Sequence, residues 1–121
     1  MIEVQSTVTQ VRFDYAMSLV FDDDAVLRIE TKFRLSGQRR QLLIDPSNTG
    51  DSGPSLVALF MATVEAVEID HAGLLRLHLS ERRELVIEAD AQFEAWSVVE
   101  RTGAQTVCLP GGTLSRFAGH E

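Results

Sequence analysis

Three consecutive carboxylates, Asp22-Asp23-Asp24, form the sharpest charge cluster in the chain. Such a run could hold a cation or hook a basic partner. Calcium takes six or more oxygens from a loop shaped around a glycine. Asp22 to Asp24 offer neither that ligand number nor the glycine, so no metal is expected. A solvated turn is the ordinary use of such residues. If the run binds anything, a basic protein patch is the better fit. Asp22, Asp23 and Asp24 are therefore carried forward as candidate partner-binding residues.

The other reactive side chains are scattered. His71, His78 and His120 have no second histidine or cysteine at metal-ligand spacing. Cys108 lies in the apolar run Val107-Cys108-Leu109, where a thiol is held protonated and inert and serves as core. Trp96 has two readings, a large core filler and a contact hot spot. It joins the aspartates as a candidate partner-binding residue. No G-x-S-x-G surrounds any serine. Gly111-Gly112 lacks the following helix and lysine of a phosphate loop. Glu30 and Glu88 occupy matching places in an internal repeat; they form a hydrolase-like pair only if a cleft brings them together. No catalytic residue and no cofactor are assigned.

The elements that must position these groups come from that repeat. Val8-Thr9-Gln10-Val11-Arg12-Phe13-Asp14-Tyr15-Ala16 matches Val64-Glu65-Ala66-Val67-Glu68-Ile69-Asp70-His71-Ala72 at a constant spacing of 56 residues. A two-residue insertion at Gly73-Leu74 moves the spacing to 58, and Leu27-Arg28-Ile29-Glu30 then falls on Leu85-Val86-Ile87-Glu88. Met17, Leu19 and Phe21 alternate with their neighbours, as do Leu75, Leu77 and Leu79. Period-two alternation buries one face of a strand and wets the other. Each copy therefore predicts a three-stranded antiparallel meander, with strands near 7–13, 17–22 and 26–35, then 63–70, 74–80 and 84–90. Turn formers separate them, including Asp22-Asp23-Asp24 and Ser80-Glu81-Arg82-Arg83.

Asp45 to Gly53 is almost all turn formers and predicts a loop. Pro54 suits the first turn of a helix capped by Ser52 or Gly53. Leu56, Val57, Leu59 and Phe60 give an apolar stripe to about Ala62. Phe93 to Val99 predicts another strand. Thr106 to Leu109 and Leu114 to Phe117 flank Pro110-Gly111, the signature of a type II turn. The fold class is mainly β (α+β): two repeated antiparallel meanders form a small sandwich or rolled barrel, with one short helix between them. A single domain spans 1–121, with repeat one at about 8–35, loop and helix at 45–62, repeat two at about 64–90 and C-terminal strands over 93–118.

Composition bounds the partners. The net charge is −7, and ten of the eleven cations are arginine. Nucleic acid binding requires the opposite field, and anionic membrane surfaces are disfavoured for the same reason. The opening Met1-Ile2-Glu3-Val4-Gln5 has neither a basic region nor a long apolar run, so no secretory leader is expected. One cysteine excludes an internal disulfide and fits a cytoplasmic location.

Leu27-Arg28-Ile29-Glu30, Glu94-Ala95-Trp96 and Cys108-Leu109-Pro110-Gly111-Gly112 together resemble a family of small actinomycete proteins of unknown function. The endings are also similar to those of immunity-type proteins, which act by binding a toxin. This resemblance implies a binding role and lends no catalytic residue. The expected function is that of a non-enzymatic protein-binding module, immunity-type or regulatory, with a basic protein as partner. The alternatives are a small-ligand module with its pocket between the repeats, and a structural homodimer, toward which the outward-facing Val20 and Val86 point.

Overall fold

The alternating apolar residues build eleven strands, seen in a computed structural model that describes residues 1–119. The first repeat gives β1 (Val8–Phe13), β2 (Met17–Phe21), β3 (Val26–Ile29), β4 (Phe33–Ser36) and β5 (Gln41–Ile44). A 3-10 turn at Gly50–Ser52 runs into α1 (Gly53–Val57). The second repeat gives β6 (Val64–Ile69), β7 (Leu75–Leu79), β8 (Arg83–Ile87), β9 (Trp96–Val99) and β10 (Gln105–Cys108); β11 (Leu114–Phe117) follows.

The strands form two antiparallel sheets, ordered β1-β2-β3-β9-β10-β11 and β5-β4-β8-β7-β6. Neither closes on itself, so the architecture is a sandwich and not a rolled barrel. Both meanders are present. The strand expected over 26–35 is two strands, however, because the chain crosses from one sheet to the other at Glu30 to Lys32. The second repeat makes the reverse crossing between Ile87 and Trp96. The β4–β5 hairpin of repeat one therefore completes the sheet of repeat two, pairing Leu35 with Leu85. The β9–β10 hairpin of repeat two completes the sheet of repeat one, pairing Val98 with Leu27.

That register extends the duplication further than the meanders. Arg34, Leu35 and Ser36 stand where Ser97, Val98 and Val99 stand. Gln41 to Ile44 take the places of Gln105 to Cys108. The sheets meet at a pseudo-twofold axis where Thr7 bridges Thr63. Two matched pairs of bonds cross it: Gln5 N–H donates to the Val64 carbonyl at 2.8 Å and Met61 N–H to that of Val8 at 2.8 Å. Val64 N–H donates to Ser6 at 2.8 Å and Val8 N–H to Ala62 at 2.9 Å. Gln5 and Met61 share a left-handed backbone, φ 78° and 72°. Both meanders also shift register at the same place, between Val8 and Gln10 and between Val64 and Ala66.

The core lies between the sheets, filled by Trp96, Phe21, Phe33, Met17, Leu19, Leu27, Ile44, Leu75 and Leu77. The helix is shorter than the stripe predicted, ending at Val57, yet Leu56 and Leu59 are both fully buried. Five residues cannot hold a helix unaided; packing of Leu56 on the core holds this one. Ser52 occupies the cap position without a side-chain hydrogen bond. The Asp45 loop is ordered by its own aspartate, which accepts from Ser47 N–H at 2.9 Å and Ser47 Oγ–H at 2.6 Å.

Candidate functional site

The three aspartates sit in the β2–β3 turn, and each is engaged within the chain. Asp22 Oδ1 accepts the Thr7 N–H at 3.0 Å beside the pseudo-axis. Ser80, at the matching place in repeat two, accepts the Thr63 N–H at 3.0 Å through its Oγ. The two side chains share one structural duty. Asp23 Oδ1 accepts the Ala25 N–H at 3.0 Å, and Asp24 pairs with Arg101 at 3.2 Å. Aspartate at these positions is thus explained by turn closure and capping.

Trp96 offers no surface to a partner. It is fully buried, and its indole N–H donates to the Gly73 carbonyl at 2.9 Å. The Cys108 thiol reaches the same carbonyl at 3.5 Å, and burial pushes that thiol's pKa up. In the other half of the pseudo-symmetry, Phe33 and Ile44 fill the places of Trp96 and Cys108. Phe33 and Ile44 need no acceptor; Trp96 and Cys108 do. The inserted Gly73 supplies one, and Gly73 in turn lies backbone to backbone against Gly112. The Cys-Leu-Pro-Gly-Gly run is thereby structural. Pro110-Gly111 forms the expected type II turn, with Gly111 at φ 87° and Gly112 N–H donating to Leu109 at 2.9 Å.

The remaining groups are not brought together. Glu30 and Glu88 lie just past the ends of β3 and β8, in different sheets, paired with Arg28 and Arg34. His71 is exposed in a turn, His78 lies between Glu68 and Glu84 on the outer face of the five-stranded sheet, and His120 lies outside the described residues. Among the described residues no three of histidine, cysteine, aspartate or glutamate are placed to hold a metal. No described helix is long and apolar enough to cross a membrane.

A family model covers residues 3–118. The chain belongs to DUF6188, a family of unknown function. Neither a curated protein nor a solved structure matches it.

The feature of this DUF6188 chain that residue-by-residue reading missed is a contrast between its two outer faces. On the five-stranded sheet, Glu68, Arg76, His78 and Glu84 face outward and pair among themselves, Arg76 to Glu84 at 2.6 Å. The matching places on the six-stranded sheet carry Arg12, Ser18, Val20 and Val26. Val20, Val26, Val99, Gln105 and Phe117 are direct cross-strand partners, so they form one straight row over five strands. Ser18, Ser97 and Ser115 lie in the next row with Arg12, Arg28 and Val107, of which Ser18 and Val107 are buried. No outward residue of these strands is acidic. Arg28 is drawn to the rim by Asp14 and Glu30, each at 3.1 Å. Comparing outward positions between the repeats was the signal that could have found this face.

The turns also set an acid limit. The Ala16 N–H, with Arg28, holds Asp14 below the usual carboxylate range; Ser47 does so for Asp45, and the Leu74 and Ala72 N–H groups do so for Asp70. A carboxylate with a depressed folded pKa contributes stability above its unfolded value, near 3.9, and loses it as pH falls through the folded one. The melting temperature is therefore expected to fall once pH drops below about 4. Asp70→Asn retains an acceptor oxygen and should flatten that acid limb in a pH series of thermal melts.

Proposed function

We propose that this protein is a non-enzymatic contact module whose partner is a second copy of itself, joined through the outer face of the six-stranded sheet. The observation that carries this is the Val20-Val26-Val99-Gln105-Phe117 row, where the places of Val20 and Val26 on the other sheet hold the paired His78 and Glu84. In that row Val99 is 37% and Phe117 55% exposed. A chain of net charge −7 repels its own copy. Only a face without carboxylates suits self-association, and this face has none on its strands. A twofold lays the row against itself in the aligned packing of sandwich sheets. Six strands span about 24 Å and their four or five residues about 13–17 Å, a footprint of roughly 300–400 Å² per copy, in the range of weak, transient contacts. Micromolar exchange is therefore expected rather than a permanent dimer.

The engagement of Asp22 to Asp24 in the turn favours this partner over a basic one. The likeness of the chain's ending to those of immunity-type proteins accords with a role in contact rather than turnover. Sedimentation equilibrium over micromolar to millimolar protein tests the proposal. Wild type should show a reversible dimer. Val99→Glu with Phe117→Glu should weaken it tenfold or more, because like charges would face each other across the axis. A monomer throughout, or a dimer indifferent to both substitutions, overturns it.

A further inference from the structure

The pseudo-symmetry leaves one place filled in one half and open in the other. Leu35 and Leu42 on the β4–β5 hairpin stand where Val98 and Thr106 stand on β9–β10. Val98 and Thr106 are sealed, at 0% and 4% exposure. The matched bonds pair Glu3 with Leu59, so Ala58 is the counterpart of Ile2 in the repeat; Ile2 is buried in the core and Ala58 is exposed. Alanine is the smaller residue by three carbons. Around Leu35, Leu42, Ser55 and Ala58 there is an open cavity of about 370 Å³.

Its lining is mostly apolar, and the charges at it are all positive. Arg39 and Arg40 stand on the hairpin turn and Arg83 on the opposite wall. Among the described residues no carboxylate lines the cavity, in a chain with 18 acidic residues against 11 basic ones. Arg83 is fixed, donating to the Ala58 carbonyl at 2.7 Å and the Ser80 carbonyl at 3.1 Å, and pairing with Glu81 at 3.3 Å. Arg39 and Arg40 have no ion-pair partner among the described residues. An apolar cavity of this size with a few convergent polar groups suits a small ligand, and arginine suits a carboxylate or phosphate head.

We infer that this cavity binds a small amphiphilic anion, its apolar body against Leu35, Leu42 and Ala58 and its charged head at Arg39 and Arg40. The site lies away from the six-stranded sheet's outer face and stands independently of self-association.

The probe is 8-anilinonaphthalene-1-sulfonate, titrated by fluorescence and mapped by amide NMR shifts. Saturable binding with shifts centred on Leu35, Leu42 and Ala58 is expected. Ala58→Ile installs the residue of the filled half and should weaken binding at least tenfold. Arg39→Gln with Arg40→Gln should do the same and remove most of the salt dependence. Thermal melts check that each variant is folded, and the arginine pair, being on an exposed turn, keeps the test open if Ala58→Ile is unstable. Competition separates the head groups: octanoate displacing more strongly than octyl phosphate assigns a carboxylate, and the reverse assigns a phosphate. No binding, binding indifferent to the arginines, shifts confined to the Val20-Val99 face, or octanol competing as well as either anion each overturns the inference.

Discussion

Gly112→Ala is expected to be among the most destabilising single changes in the chain. A Cβ at Gly112 would lie 2.2 Å from the Ala72 carbonyl oxygen and 2.9 Å from its carbon, both backbone atoms that cannot swing away. The residue also has φ 100°, where an L side chain is strained in any surroundings. Gly73→Ala meets the same contact from the other side, 2.5 Å from the Gly112 carbonyl oxygen at φ 86°. Each change combines backbone strain with a steric clash, so a loss of about 3 kcal/mol or more is expected. For a chain of this size that lowers the melting temperature by roughly 10 °C or more. Gly111→Ala is the control. It shares a positive φ but has open space around it, so strain alone should cost it about 1–2 kcal/mol. A Gly112→Ala melt no lower than that of Gly111→Ala would show that the two turns can slide apart.

Trp96→Ala should be comparably severe. The indole is the largest fully buried side chain, and truncating such a residue costs about 3–5 kcal/mol. Trp96→Phe separates packing from hydrogen bonding. It removes the donor to the Gly73 carbonyl while filling most of the space, and should cost about 1–3 kcal/mol. Cys108 still reaches that carbonyl, which places the expectation at the lower end of the range. Urea denaturation of the pair reads both. An alanine variant no worse than phenylalanine would mean that the cavity collapses without cost.

Much of the fold was legible because a duplicated period-two pattern repeats both its strands and its turns. Leu19 and Leu77, or Leu27 and Leu85, announce matching buried faces. The exchange of hairpins was not legible. Crossing from β3 to β4 takes Glu30 to Lys32, and crossing from β8 to β9 takes Glu88 to Ala95, so the common spacing is lost just where the exchange begins. Beyond it, Gln41 with Gln105 and Pro46 with Pro110 still mark the correspondence, too few to stand out before the register is known. Leu42 and Leu43 hide the alternation of β5, since Leu42 faces inward and the equally apolar Leu43 stands on the outer side, 66% exposed. The role of Trp96 was ambiguous for a different reason: tryptophan suits both a core and a contact, and only the acceptor carried by the inserted Gly73 decides between them. The contrast between the two outer faces was hidden because valine and serine on a strand carry no motif.

The reciprocal hairpins bear on ancestry and on folding order. A chain holding one repeat has a three-stranded sheet lacking its completing strands and a hairpin lacking a sheet. Two such chains satisfy each other, as in a strand-swapped dimer. Fusing them in one polypeptide replaces a bimolecular encounter with an intramolecular one, at an effective concentration fixed by the segment from Asp45 to Thr63. Assembly then no longer depends on how much protein the cell makes. The same arrangement means that neither sheet is finished until both repeats have been synthesised, so the first repeat must wait on the ribosome for the second.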